Sequence, residues 1–343
     1  MKPLVSVVVV NYNGHDLIGA CVESLARQSY EPLEVLVVDN GSIDGSADVI
    51  GKRYPTVRVI RLTRNLGFAG GCNVGIRAAR GEFIATLNND AVADNDWIAS
   101  LVETIQLLPN VGAVASKLLF LDEPDRINSA GICLDRLGIA WDRRGGDVDD
   151  DERGREVFGA SAGAALYRRS LFDDIGLFDG DFFMYLEDVD FAWRARLANW
   201  RCRYVPGARV YHAYSATSGD QSPFKRYHLG RNKFWLIAKN YPAPYLWLLL
   251  PLILSYDFAG LCASLVPGRN QSVAPATELA RWRGRIDGLL GLPRILKKRH
   301  LIQRNRRVSA GQAFAMLAPV SLPWQVGQRF SYLGARARRS RTD

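Results

Sequence analysis

Over the first 120 residues, short runs of β-branched apolar residues alternate with stretches whose apolar positions recur every three or four residues. The runs predict strands at 5–10, 34–38, 57–62 and 83–87, and the stretches predict helices at about 15–28, 45–53 and 69–79. This alternation builds βαβ units, so the pattern predicts an α/β fold on a mostly parallel central sheet. Such sheets bind ligands beyond the carboxyl ends of their strands. The residues there are Asn11-Tyr-Asn-Gly, Asp39-Asn-Gly-Ser, Arg64-Asn-Leu-Gly and Asn88-Asn-Asp90. Each is an ordinary turn sequence taken singly. Four on one sheet edge point to a site that reads a base, approaches a phosphate and holds a divalent cation.

Beyond residue 120 the pattern changes. Region 121–215 mixes an acidic loop from Asp147 to Glu152, a small-residue run at 159–166 and an acid-rich segment from Phe178. Stretch 243–266 is almost continuously apolar, opens with Tyr245 and Trp247, and is interrupted by Pro251 and Asp257. A basic region follows it. These shifts divide the chain at about 120 and 240, leaving a helical, basic C-terminal region at 241–343.

The 343 residues are 48% hydrophobic and 23% charged, which suits one large core and a small second one rather than disorder. The net charge of +9 hides two bodies, because residues from 268 onward carry +13 and the first 267 carry −4. A basic tail directly after an apolar stretch points to an anionic membrane surface and away from nucleic acid. At about 24 residues the stretch is long enough to span a bilayer. A simple span would separate the basic tail from the catalytic domain, so an interfacial or re-entrant element on the cytoplasmic face of the plasma membrane is expected. The alternative is a helix buried on the catalytic domain or in a homo-oligomer. The five cysteines lie far apart and show neither zinc nor redox spacing, as expected in a reduced cytosol. The run at 5–10 reads as a buried strand and not as a signal peptide.

Asp90 suits a hard divalent cation, Mg2+ or Mn2+, that would neutralise a departing nucleoside diphosphate, and Asn88 and Asn89 beside it suit a ribose. Asp39 is placed either to accept the imide N–H of uracil or thymine or to close an Asx turn. The run 65–75, with Asn65, Gly71 and Asn73 among four glycines, opens a helix and lets backbone approach a diphosphate or donor sugar. It follows the third strand and so differs from the dinucleotide fingerprint. Glu187, Asp188 and Asp190 crowd four positions beside aromatics. An attacking hydroxyl needs a base, a role given to Asp188, with Tyr185 and Glu187 on the acceptor side and Asp190 paired to Arg194 at i,i+4. His212 ends a short strand, where a lone histidine is either structural or, by its imidazole, the ligand that completes the metal site begun by Asp90. Arg231 serves as a clamp on diphosphate or lies on a solvated helix face.

In order, Asn11-Tyr-Asn-Gly, Asp39-Asn-Gly-Ser-Ile-Asp-Gly-Ser, Asn65-Leu-Gly-Phe-Ala-Gly-Gly-Cys-Asn, Leu87-Asn-Asn-Asp, Phe183-Met-Tyr-Leu-Glu-Asp-Val-Asp-Phe and Tyr211-His resemble glycosyltransferase family 2, nearest its rhamnosyltransferase-like branch. The resemblance covers about residues 4–240. It implies the GT-A (Rossmann-like) glycosyltransferase fold, with a nucleotide-sugar-binding half at 1–120 and an acceptor-binding, catalytic-base half at 121–240. It also implies Asp39 on the base, Asn88 and Asp90 as the metal and ribose motif, Asp188 as base and His212 as a metal ligand. Asn88 stands where the family's metal motif usually begins with an acid, and one carboxylate holds a divalent ion less firmly than two. The arginine- and tryptophan-rich motif of processive relatives is not recognised between 213 and 240, which implies single-sugar addition.

The implied reaction is metal-dependent, inverting hexosyl transfer to a hydroxyl of a cell-surface polysaccharide or lipid-linked glycan precursor. The first donor is dTDP-rhamnose, followed by UDP-galactofuranose or UDP-glucose. A nucleotidyltransferase would carry basic residues directly after the first strand, whereas 11–15 holds no Lys or Arg. A membrane-docked nucleotide-sugar-binding module without catalysis would have lost Asp90 or Asp188, and both are present.

Overall fold

The computed structural model describes residues 2–150, 152–213, 222–264, 275–322, 324–327, 332 and 336. The end of the apolar stretch at 265–266, Arg269 and the basic residues beyond 336 lie outside the described residues. In chain order the elements begin β1 (Val5–Asn11), α1 (His15–Ala26), β2 (Leu33–Asp39), α2 (Ser46–Arg53), β3 (Arg58–Arg61), α3 (Gly67–Ala78) and β4 (Phe83–Asn88). They continue with β5 (Ala91–Ala93), α4 (Trp97–Gln106), β6 (Val111–Phe120), β7 (Ile127–Ser129), β8 (Ile132–Leu134), β9 (Ala140–Asp142), β10 (Glu156–Val157), β11 (Ala164–Arg168) and α5 (Arg169–Ile175). A 3-10 turn at Gly180–Phe182 precedes α6 (Glu187–Leu197), β12 (Arg201–His212), α7 (Pro223–Asn240), α8 (Ala243–Ser264), α9 (Pro275–Leu290), α10 (Leu292–Arg304) and α11 (Ala310–Ala315).

Contacts group the chain into two units, the first being Met1–Ile132, Asp142–Ala195 and Trp200–Thr217. Its sheet runs β10-β12-β6-β11-β4-β1-β2-β3, with β5 added to β12 and β7 to β6. All seven residues of β1 are buried because both faces are covered. Val5, Val7 and Val9 pack with Ile18 and Trp97 from α1 and α4, while Val8 and Val10 pack with Cys72 and Ile76 from α3. Burial of each such valine is worth roughly 1.5–3 kcal/mol, so this strand contributes to the core of both layers. Register places Asn11 opposite Asp39 and Val10 opposite Asn88, which aligns three of the polar strand ends on one edge.

The expected parallel pairing runs from β3 through β2 and β1 to β4 and recurs between β6 and β12. Beyond β4 the sheet is mixed, since β11 is antiparallel to both β4 and β6, and β5 and β10 are antiparallel to β12. These pairings join segments distant in the chain, which a local pattern of strands and helices does not encode.

The second unit is Cys133–Trp141, Arg196–Asn199 and Ser218–Asp343. It includes α7, which the sequence grouped with the preceding half. The reason is packing, because α7 lies against α9 across glycines. A Cβ on Gly284 would come 2.2 Å from the Tyr227 carbonyl, and one on Gly288 would come 3.1 Å from that of Arg231. On α8 the buried residues include Leu246, Ile253 and Asp257, and the Asp257 carboxylate pairs with Lys233 at 3.0 Å and Arg285 at 3.1 Å. Trp247, Leu248, Leu252, Leu254 and Phe258 are exposed on the same helix. Among the described residues, α8 is the one helix long and apolar enough to cross a membrane by length and composition.

Candidate functional site

The site is built on the edge where β1, β2 and β4 end. Asn11 is fully buried, donating from Nδ2 to Ser46 Oγ at 2.8 Å and accepting from Asn89 Nδ2 at 3.0 Å. Both asparagines therefore tie loops together. Asp39 Oδ1 accepts from the Ser42 N–H at 3.2 Å, closing an Asx turn, while its Oδ2 has no hydrogen-bond partner among the described residues. The two readings of Asp39 are thus compatible, one oxygen for each.

Asn65 Oδ1 accepts from the Gly67 N–H at 2.8 Å and from Asn40 Nδ2 at 3.0 Å, which shapes the entry to α3. Asn73 Nδ2 donates to the Phe178 carbonyl at 2.8 Å and fastens α3 to the segment before α6. The glycines of this run also allow close packing. A Cβ on Gly71 would lie 2.7 Å from Val10 Cγ1, and one on Gly75 would lie 2.3 Å from Val8 Cγ1. Gly67 has φ +73° and faces the Phe183 carbonyl, which its Cβ would approach to 2.4 Å.

Asp90 and His212 meet. Pairing of β5 with β12 sets His212 opposite Ala91, and the imidazole Nε2 lies 3.1 Å from Asp90 Oδ1 and 3.1 Å from Asn88 Nδ2. Its Nδ1 faces Asn128 Oδ1 at 2.8 Å. An amide oxygen can only accept, so this contact puts a proton on Nδ1, and the Nε2 of a neutral ring then accepts from Asn88 Nδ2 with the Asp90 carboxylate beside it. Among the described residues no group of three or more His, Cys, Asp or Glu side chains could hold a metal. The pair, with the amide of Asn88 beside it, supplies one carboxylate and one imidazole. Asn128 was not singled out by sequence, since a polar residue in a three-residue strand carries no motif.

Asp188 stands in the first turn of α6. The Val189 N–H lies 2.8 Å from its Oδ1, and its Oδ2 accepts from the Ala162 N–H at 3.4 Å. The loop carrying Ala162 also receives the Asn88 N–H, at the Gly163 carbonyl, so the small-residue run links the end of β4 to Asp188. Burial, then the Asp142 carboxylate, pushes Asp188 up to about 6 against the pull of its backbone donors. It retains partial solvent contact. Glu187 is buried and is pushed well above the carboxylate range by desolvation first and by Asp188 next, and its Oε2 has no hydrogen-bond partner. Asp190 and Arg194 form a buried pair at 2.9 Å, and Arg194 also donates to the Ile175 and Leu177 carbonyls. Leading into this helix, Phe183, Tyr185 and Leu186 all have φ between 64° and 68°. Non-glycine residues held there cost about 1–2 kcal/mol each, a strain that surrounding packing must maintain.

Arg231 belongs to the second unit, on α7. Its Nε donates to Asn232 Oδ1 at 3.0 Å, and its guanidinium stacks on Trp235.

Residues 6–176 match the family described as Glycosyl transferase family 2. The chain is 29% identical over 249 residues to an N-acetylglucosaminyl-diphospho-decaprenol L-rhamnosyltransferase of Mycobacterium tuberculosis, covering 64% of this chain and 79% of that protein. It is 31% identical over 244 residues to an uncharacterized protein of Sinorhizobium fredii, but the match spans 26% of that protein's length and 65% of this chain. Among solved structures, S. aureus TarS residues 1–349 resemble it with a TM-score of 0.55 at 20% identity, over 96% of this chain and 92% of that one. GalNAc-T7 with UDP, GalNAc and Mn2+ gives a TM-score of 0.58 at 16% identity, over 84% and 55%. The mixed sheet with its polar carboxyl edge is accordingly a GT-A-like α/β fold. Through the domain at residues 6–176, the chain belongs to glycosyl transferase family 2.

Proposed function

We propose that this protein transfers a hexosyl group from a nucleoside diphosphate sugar to a hydroxyl of a cell-surface glycan or its lipid-linked precursor, with a divalent cation bound and with inversion at the anomeric carbon. The observation that carries this reading is the 3.1 Å approach of His212 Nε2 to Asp90 Oδ1. One carboxylate and one imidazole, with Asn128 fixing the ring tautomer, fit Mg2+ or Mn2+. When bound, the ion supplies charge neutralisation to the leaving diphosphate.

The chain's own residues do the rest. Asp39 Oδ2 is placed for a pyrimidine imide, and Asn88 for ribose. Asp188 takes the acceptor hydroxyl proton as that oxygen attacks the anomeric carbon. The bond from that carbon to the β-phosphate oxygen breaks, and its electron pair leaves with the nucleoside diphosphate. A raised carboxylate is the better base near neutral pH, because Brønsted behaviour favours a value close to the working pH. A single displacement inverts the configuration and leaves no role for a second nucleophilic carboxylate.

Rhamnose from dTDP-rhamnose is the first donor, supported by the Mycobacterium relative, with UDP-galactofuranose and UDP-glucose next. The exposed apolar side of α8 and the basic helices after it support a peripheral site on the cytoplasmic face of the membrane. Asp257 favours a helix lying along its neighbours over one that crosses alone, since its carboxylate is held by α7 and α9.

Thermal stabilisation by these three nucleotide sugars, with and without Mn2+, tests the reading, followed by NMR of the product's anomeric configuration. Stabilisation that needs the cation, and an inverted product, are expected. No response to any nucleotide sugar with Mn2+ present, or retained configuration, overturns it.

A further inference from the structure

An open groove in the second unit is not used by the chemistry above. It has a volume of about 510 Å3 and is lined by Tyr227, Arg231, Trp235, Asp287, Leu290 and Arg294, together with the turn between α9 and α10. Trp235 forms its floor. The indole is buried, Nε1 donates to the Gly288 carbonyl at 2.9 Å, and Gly291 makes the room, since a Cβ there would come 2.6 Å from the ring. The Arg231 guanidinium lies 4.4 Å from this ring and that of Arg294 lies 5.4 Å from it, so the two cations are within about 10 Å of each other.

Arg231 is steadied by His228 Nδ1 at 3.1 Å. Burial, then the charge of Arg231, pushes His228 down to about 4, so it meets the guanidinium as a neutral acceptor. The lining acid, Asp287, accepts from the Tyr227 hydroxyl at 2.7 Å and lies 3.9 Å from Arg283. The groove therefore gathers positive charge over an aromatic floor. Its lining also has an apolar part, the exposed Leu290 and Pro293; Ile286 and Leu289 on α9 and Leu296 on α10 are further exposed apolar residues of the same two helices.

We infer that this groove binds the diphosphate head group of a membrane lipid, with the Arg231 and Arg294 guanidinium groups toward the phosphate oxygens and the start of the hydrocarbon chain along Leu290. A soluble phosphate would satisfy only the cationic half; a phosphorylated lipid satisfies both. The inference rests on the reading that the acceptor is lipid-linked.

The test is flotation of the full-length protein with phosphatidylcholine vesicles that carry a polyprenyl diphosphate, the matching polyprenol, or phosphatidylglycerol at equal charge. Preference for the diphosphate lipid is expected. Arg294→Gln, at an exposed position, should weaken it roughly tenfold, Arg294→Glu should weaken it further, and Arg294→Lys should keep part of it. Inorganic diphosphate should compete only weakly. Undiminished flotation of Arg294→Glu overturns the assignment, as does equal retention on phosphatidylglycerol. Inorganic diphosphate competing as well as the lipid would make this a soluble-anion site and also overturns it. Nucleotide-sugar stabilisation should survive in Arg294→Gln, and its loss there would give the groove to the donor. Its absence in the wild-type protein would instead sink the transferase reading while leaving the lipid result standing.

Discussion

His212 Nε2 and Asp90 Oδ1 approach to 3.1 Å because β12 returns antiparallel to β5, the strand that starts one residue after Asp90. The contact is held from behind by Asn128, which fixes the imidazole proton on Nδ1. Asp90→Ala should therefore remove most cation-dependent binding of nucleoside diphosphate. His212→Ala should remove part of it. Asn128→Ala should weaken cation binding by about tenfold or more, as outer partners of ligating histidines do. Titration of Mn2+ by electron paramagnetic resonance measures all three, and unchanged metal dependence in the Asp90 variant would place the ion elsewhere.

Asp188→Asn keeps the side chain's volume and removes the base. Donor affinity should stay near wild type, while kcat falls by about 10²–10⁴. In the wild type, activity should fall as pH drops through about 6, where Asp188 takes up its proton. Steady-state kinetics across pH checks both, and normal turnover by the Asp188→Asn enzyme would remove Asp188 from this role.

The same carboxylate has a stability signature of defined sign. Its folded-state value, about 6, lies above its ordinary value of 3.8, so the native state binds the proton more tightly than the unfolded state. Stability contributed below about pH 4 is thus lost as pH rises through 6. At neutral pH, Asp188→Asn should be more stable than wild type by about 1–2 kcal/mol, allowing for the group's partial exposure. Urea unfolding at pH 7.5 and at pH 4 would read this as a gain that shrinks toward acid; a gain of equal size at both would contradict it.

On α8, the exposed and buried sides should respond differently. Replacing Trp247 and Phe258 together by Ser should reduce flotation on anionic vesicles at low salt with little effect on unfolding. Asp257→Ala should leave the charges of Lys233 and Arg285 poorly compensated and cost about 3 kcal/mol or more. A double variant that floats like wild type would show that the membrane does not meet this side of the helix.

Much of the first half was legible in the chain because its signals are local. The β-branched runs of β1, β2 and β4 and the apolar repeats of α1 and α3 each satisfy their own period, and a strand that ends in Asn or Asp announces a polar sheet edge by its residue types alone. The i,i+4 pair of Asp190 and Arg194 was legible for the same reason. Glycine was less so. A run rich in glycine says that something comes close to the backbone, and only the packing shows that the neighbours of Gly71 and Gly75 are Val10 and Val8 and that Gly67 faces Phe183.

By itself, then, the sequence determined the order of elements through β4 and the residue types available along the carboxyl edge, because each follows from composition and spacing over a few residues, while its ordered motifs carried the family resemblance. The tertiary structure decided what those residues touch. It set the antiparallel entry of β11 beside β4, the meeting of His212 with Asp90, the like charge of Asp142 that helps raise Asp188, and the passage of Arg231 into a groove with Trp235 and Arg294. Each depends on contacts between segments far apart in the chain. Such contacts are selected by how whole layers pack, and a local pattern carries no record of that choice.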